Sequence, residues 1–425
     1  MAAESNRFAG RVRAAIRTAP GLADQALASG VNFLTLILVA RAVAPASFGY
    51  FALVFTLLQS LGALQLALVT RPHNVLGAAK HGADYVGFTR ATVAYQLAFS
   101  VLAAVLLAAG AVIARAAGAG STLVFLVAAP TLVAWQLQEL GRRVLYTERR
   151  FVAALANDAL SYGSQAALLV ALKLSGRLDG TSALVVIGAT SAVGAAVAGL
   201  QLRQSLAGGR VERGSLVESW RFGKWLGAAE VAYWFESQYY VYLAAALIGP
   251  AASGALKAGQ TLLGPVSVFL AFFVNYLPIR FARRLAPGDL RERRQQLRFG
   301  FRMTVPSVAV YALAAGIFAP WLLEAVYGEA YRGYASVVRL FAVYYVLLSV
   351  SDVVVASLSA RGLTRRVFLG HVVGAAASVA AGWTFLEAFG AAGGVAGMIV
   401  AIAVAFCVFV SGSTPQPVAP RGAEA

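Results

Sequence analysis

Lys257, Gln260, Thr261, Gly264, Ser267 and Asn275 recur at helical spacing inside an otherwise apolar run, so in a helix they share one face. A polar stripe of that kind is expected to face water or a ligand. Lys257 then lines a cavity or, as the alternative, extends its ammonium to the end of its helix. A second cluster is AAEVAYWFESQYYVYLA, which sets Glu230, Tyr233, Trp234, Glu236, Gln238, Tyr239 and Tyr240 in one apolar stretch. Aromatic rings with hydroxyl handles can stack on and hydrogen-bond to ring-shaped polar ligands. Glu230 and Glu236 are costly in such a stretch unless paired or hydrated. Asp352 shares a helical face with Tyr345, Ser349 and Ser359, and we read it, with Glu230, as an ion-coupling or charge-partner residue. Asn32 continues the stripe Gln25, Ser29, whereas Arg41 falls near Leu34 and Leu38 on the opposite side. A cavity role and an interfacial role remain open for Arg41. Asp24 and Asp158 rank lower, since arginines near the helix ends would satisfy them. Glu139 and Arg143 read as a simple intrahelical pair.

The elements that carry these residues are apolar runs. The chain has 425 residues, 60% of them hydrophobic, with a mean hydropathy of +0.73. That is more apolar surface than one soluble core can bury, so the chain reads as a multi-pass membrane protein. Runs of spanning length lie at roughly 24–44, 49–70, 91–114, 121–140, 151–173, 181–201, 226–247, 254–277, 301–320, 336–358, 367–386 and 391–410. About twelve transmembrane helices put both termini in the cytoplasm. The charge pattern agrees independently. Lys and Arg cluster in alternate connectors, about four to one in favour of one side, which the positive-inside rule makes cytoplasmic. Orientation thus accounts for the net charge of +17 and removes the case for nucleic acid.

Met1 to Pro20 is Arg-rich and reads as an amphipathic lead-in rather than a transit peptide. The single Cys407 allows no disulfide framework, and the dispersed His73, His81 and His371 argue against a metal site. No cofactor is expected. The segment 278–300, with Phe281, Leu285, Leu290, Leu297 and Phe299 among arginines, reads as a basic amphipathic surface segment drawn to anionic lipid.

The chain also resembles itself. Leu34 to Pro72 contains two apolar runs joined around Pro45 and Gly49, and Tyr242 to Pro278 has Pro250 and Gly254 at the same spacing. ELGRRVLYTERRFVAALAND, from Glu139, shares its plan with ASLSARGLTRRVFLGH, from Ala356, six helices later. Two like-oriented halves follow, with a site expected between them near the midplane. The organisation is a lead-in at 1–23, an N-terminal six-helix lobe at 24–201, a linker at 202–225, a C-terminal lobe at 226–410 and a tail at 411–425.

FLTLILVARAVAPASFGYFALVFTLLQSL, QELGRRVLYTERRFVAALANDALSYG and LIGPAASGALKAGQTLLGPVSVFLAFFVNYLP resemble segments of bacterial polysaccharide flippases. These are the Wzx-type members of the multidrug/oligosaccharidyl-lipid/polysaccharide (MOP) superfamily. The resemblance implies a V-shaped pair of six-helix lobes in the bacterial inner membrane. It further implies a monomer that moves undecaprenyl-pyrophosphate-linked oligosaccharide outward by alternating access, serving O-antigen or exopolysaccharide synthesis alongside a polymerase and glycosyltransferases. A pyrophosphate with several sugars cannot cross hydrocarbon unaided, because each unsatisfied polar group costs several kcal/mol there. On this reading Lys257, where relatives often carry Arg, meets the phosphate. Gln260, Thr261, Asn275, Arg41 and Asn32 line the cavity, and Tyr233, Trp234, Glu236 and Tyr240 grip sugars. A cation-coupled multidrug exporter and a lipid II flippase are the rivals of like fold. An enzyme of the same pathway is disfavoured for want of a large outer loop or acidic sugar-nucleotide motif, and no Gly-rich phosphate loop ending in Gly-Lys-Ser/Thr supports an ATP-driven pump.

Overall fold

The structure, a computed structural model, describes residues 23–116, 122–208, 213–282, 290–361 and 363–411. Most of the expected lead-in, the tail from residue 412 and Leu285 lie outside the described residues, as does the side chain of Asn275. The described residues are overwhelmingly helical. They divide into two compact units, Met1–Glu230 and Val231–Ala425.

In the first unit, α1 (Ala23–Ala40) is followed by α2 (Pro45–Gln65). Pro45 occupies the first turn of α2, where its missing N–H costs nothing. It therefore starts a helix rather than bending one. A π-helical turn, Leu66–Thr70, leads into α3 (Arg71–Leu76). Next come α4 (Gly82–Ala116), α5 (Thr122–Thr147), α6 (Phe151–Leu174), α7 (Gly180–Gln201) and the short α8 (Arg203–Leu206). Asp179 and Ser182 form a capping box at the start of α7, with Ser182 N donating to Asp179 Oδ1 at 2.6 Å. α9 (Arg213–Ser237) carries the chain into the second unit.

α5 is the central helix of the first unit, packed on α4 and α7. Small residues let it approach α7 closely. A Cβ on Gly141 would lie 2.4 Å from Ala198 Cβ, and one on Gly188 or Gly194 of α7 would lie 2.8 Å from Thr131 or 2.9 Å from Gln138. The second unit comprises α10 (Tyr239–Leu247), α11 (Pro250–Leu262), α12 (Gly264–Ala282), α13 (Leu290–Ile317), α14 (Ala319–Tyr327), α15 (Ala335–Ala360) and α16 (Thr364–Val410). Pro250 again opens its helix, and α15 is the central element, packed on α12, α13 and α16.

Each of the twelve expected segments is helical, but not each is one clean helix. Among the described residues, eight helices are long and apolar enough to cross a membrane. Of the remaining expected segments, 151–173 forms α6, whose apolar run is interrupted by polar side chains. The segment 226–247 breaks at Gln238, and 254–277 breaks at Leu263. The last two runs are two helical stretches of α16 that meet at a kink at Gly390, whose φ of 60° is a conformation that favours glycine. The segment 278–300 is described only in part. Leu297 and Phe299 pack on a core of Phe273, Leu277, Phe281, Val353 and Ala356, so these apolar residues are taken up by protein rather than lipid.

Gly141→Ala should destabilise the first unit by about 1–3 kcal/mol through overpacking against α7. Gly199→Ala, where an added Cβ meets nothing within 4 Å, should be neutral or stabilising by up to about 1 kcal/mol. Thermal unfolding in detergent separates the two.

Candidate functional site

The first unit encloses an arginine. Arg142 projects from α5 with only 8% of its side chain exposed. Its Nη1 lies 3.2 Å from Asp158 Oδ2 of α6 and 3.7 Å from Asp24 Oδ2 of α1. Its Nη2 donates to Glu139, one turn earlier. Arg143 Nε donates to the other Glu139 oxygen at 2.6 Å. Further bonds fix the carboxylates. Gln138 Nε2 donates to Asp158 Oδ1 at 3.2 Å, Ser161 Oγ donates to Gln138 Oε1 at 3.2 Å, and the Tyr146 hydroxyl donates to Asp24. With all groups ionised, three carboxylates face two guanidiniums, leaving one negative charge in excess.

A cavity of ≈ 230 Å³ opens beside this cluster. Gln25, Ser29 and Asn32 of α1 line it at the expected i, i+4, i+7 spacing. Trp135, Glu139, Arg142 and Arg143 line it from one face of α5, and Tyr162 from α6. α2 adds Gln59 just before its π-helical turn, a distortion often found at functional sites. Two other lining amides are structurally engaged: Gln65 Nε2 donates to the Gln136 carbonyl at 2.7 Å, and Ser100 Oγ donates to Gln136 Oε1 at 2.7 Å. The cavity is smaller than sites for drug-sized ligands, which start at about 300 Å³.

The second unit holds a different cluster. Glu236 of α9, 5% exposed, contacts His371 Nδ1 of α16 at 2.7 Å. Asp352 of α15 lies within electrostatic reach of both. Tyr233 packs edge-on to the His371 ring at 6.1 Å, and Phe409 does so at 5.4 Å. Elsewhere in this unit Lys257 is buried, 6% exposed, with Nζ 3.4 Å from Gln260 Oε1.

No family model matches the sequence, and no curated protein matches it. Solved structures do. A multidrug resistance MATE family transporter of the MOP superfamily, in an inward-facing conformation, superposes with a TM-score of 0.71 at 16% identity, covering 90% of this chain and 92% of that one. The lipid II flippase MurJ in an inward closed conformation gives 0.68 at 11% identity, covering 93% and 86%. A MOP superfamily transporter from Pyrococcus furiosus, described by a reversed polarity of its binding pocket, gives 0.63 at 15%, covering 94% and 93%.

This chain has the MOP-transporter fold.

Within that fold the sequence-derived candidates separate into groups. Asn32 lines the first-unit cavity, whereas Arg41 lies past the end of α1 and is exposed. Glu230 is half-buried on α9. Glu236, Tyr233 and Asp352 come together around His371. Trp234 packs on Phe235 and Tyr242. Tyr240 is fully buried beside Gly382 and Gly397, and its hydroxyl donates to the Ser378 carbonyl at 3.0 Å. Lys257, Gln260 and Thr261 stay together on α11, with Thr261 Oγ1 donating to the Lys257 carbonyl at 2.7 Å. Ser267 falls beyond the break at Leu263 and donates to the Tyr345 hydroxyl at 3.1 Å. Burial of Lys257 is at odds with the alternative in which its ammonium reaches the interface.

Arg142 and His371 were not singled out by residue type and spacing. The Glu139–Arg143 pair exists but belongs to a larger network, and His371 is dispersed only in sequence. One signal was present for Arg142. It precedes the Arg-rich turn by a few residues and Asp158 follows it by a few, so an antiparallel helix pair sets them face to face.

Arg142→Met should cost about 3–5 kcal/mol, because it strands buried Asp24 and Asp158. Arg143→Met, at a site 24% exposed, should cost about 1 kcal/mol or less. Melting temperatures of the two purified variants check the order.

Proposed function

We propose that this protein is a flippase for undecaprenyl-pyrophosphate-linked oligosaccharide, working by alternating access in the bacterial inner membrane to supply surface polysaccharide synthesis. The observation that carries the reading is the composition of the first-unit cavity. Sugar hydroxyls leave water only if each finds a partner, and Gln25, Ser29, Asn32 and Gln59 supply donors and acceptors together. Trp135 and Tyr162 supply ring faces for stacking. At ≈ 230 Å³ the cavity suits a sugar unit rather than a whole repeat.

The guanidiniums at that cavity, Arg142 and Arg143, are already engaged by Glu139, Asp24 and Asp158, which makes them less suited to a pyrophosphate. Lys257, the buried base of the second unit, remains the phosphate candidate, with Gln260 and Thr261 beside it. Asp352, now grouped with Glu236 and His371, is the candidate for ion coupling, and Glu230 the lesser one. The solved structures of like fold supply consistent analogies, since one is titled a lipid II flippase and another a multidrug resistance transporter.

One rival of like fold is the export of a cationic drug. Reconstituted vesicles distinguish the two. A labelled undecaprenyl-pyrophosphate glycan should become accessible on the far face, while ethidium should not accumulate. Ethidium transport without glycolipid movement would sink the flippase reading. Movement of lipid II but not of other glycans would reassign the protein within the lipid-linked class.

Lys257→Ala should lower glycolipid translocation by about tenfold to a hundredfold, the loss of one charge-assisted contact, at unchanged protein level. Normal transport in that variant removes Lys257 from the phosphate role. Asp352→Asn should abolish the dependence of transport on a proton gradient; an unchanged dependence assigns Asp352 to structure.

A further inference from the structure

One end of the first unit carries a basic pocket that the transport reading does not use. It lies where α5 turns into α6 and α7 meets α8, has a volume of ≈ 440 Å³, and is lined by Glu148, Arg150, Gln201, Arg203, Gln204 and Ser205. Its one carboxylate is already engaged. Glu148 Oε1 accepts from the Tyr85 hydroxyl at 3.1 Å and from Ser205 Oγ, and Glu148 Oε2 faces Arg150 Nη1 at 3.2 Å. Arg150 Nη1 also donates to the Gln201 carbonyl at 2.8 Å, which fixes the guanidinium at the pocket wall. Arg203 lines the pocket and Arg149 sits in the adjoining turn; both are exposed and neither has an ion pair among the described residues. Three arginines against one carboxylate leave two positive charges in excess.

The surroundings identify what such a pocket would hold. Leu200, which also lines it, is 72% exposed, and Val152, at the start of α6, is 70% exposed. Both stand on the terminal turns of helices that run on as apolar segments, so the polar pocket borders directly on lipid-facing surface. Charge alone would suit any phosphate. Charge flanked by exposed aliphatic side chains at a helix end suits a phosphate that carries acyl chains.

We infer that this pocket binds the headgroup of an anionic phospholipid, its phosphodiester held by Arg150 and Arg203 with Arg149 nearby and its chain lying along Leu200 and Val152. Arginine suits the role, since its planar fork can give two parallel bonds to phosphate oxygens. By the charge pattern of the connectors, the leaflet is the cytoplasmic one.

The test uses the purified full-length chain and native mass spectrometry in a mild detergent. Phosphatidylglycerol and phosphatidylcholine of identical chains are titrated separately, with inorganic phosphate as competitor. The variant is Arg149→Gly/Arg203→Gln. Arg149 has a φ of 58°, which glycine adopts without strain, so that change removes charge without disturbing the turn. Wild type should retain phosphatidylglycerol preferentially, and the double variant should lose roughly 30-fold in that affinity, the effect of two arginines near a charged surface. Arg291→Gln/Arg294→Gln, on exposed residues of α13, should change it little. Three results overturn the inference: equal retention of both lipids by wild type, an unchanged preference in the Arg149/Arg203 variant, or an equal loss in the α13 control. Displacement of phosphatidylglycerol by millimolar phosphate would show a free-phosphate site and reject the lipid.

Discussion

A guanidinium inside a helical membrane unit has to be neutralised where it stands, because hydrocarbon offers it neither water nor counterions. Arg142 meets that condition with carboxylates from its own helix and from two others, and much of the first unit follows from it. Asp24 ties α1 to α5, Asp158 ties α6 to α5, and Glu139 leaves Arg143 directed to the cavity side. Replacing such a network with apolar side chains is often neutral in stability, so its presence is weak evidence for stability as such. What it does supply is a fixed, polar wall against which Gln25, Ser29, Asn32 and Trp135 are arranged.

The second unit encloses a different set of polar groups. Its central helix, α15, contributes an acid, Asp352, to the unit's buried cluster, whereas α5 contributes both Arg142 and Glu139 to the first. Glu236 and His371 complete the cluster from α9 and α16. Guanidinium stays protonated at any relevant pH, so the charges of Arg142 and Arg143 are fixed.

Much of this architecture was legible in the sequence. Apolar runs marked where the helices lie, because the bilayer sets a length and a composition that residue counts can detect, and eight helices among the described residues are long and apolar enough to cross it. The stripe Gln25, Ser29, Asn32 was also readable, as a 3.6-residue period depends on nothing but the helix itself. What escaped were features decided between helices. Arg142 looked like one of several arginines near a turn until α6 folded back to bring Asp158 within 3.2 Å. His371 and Glu236 are 135 positions apart, and neither carries a local signature of the other. The apolar side of 278–300 makes the same point. Periodicity revealed an apolar face around Phe281, Leu297 and Phe299, but did not say whether lipid or the Phe273–Leu277 core covers it.

The interruptions at Gln238, Leu263 and Gly390 bear on how the second unit is built. A helix break in hydrocarbon exposes backbone groups that protein must satisfy, so it is tolerated only where neighbours enclose it. Here the breaks flank the residues of interest: Gln238 follows Glu236, and Leu263 follows the Lys257–Thr261 turn. Around the first of them small residues let other helices close in, with Gly374 against Glu236 and with Gly382 and Gly397 against Tyr240. Tyr240 is enclosed there, its ring against Gly382 and Gly397 and its hydroxyl donating to the Ser378 carbonyl of α16. An aromatic residue in a membrane segment can thus be held by packing against small residues, as Tyr240 is by Gly382 and Gly397, so aromatic content alone does not mark a ligand site.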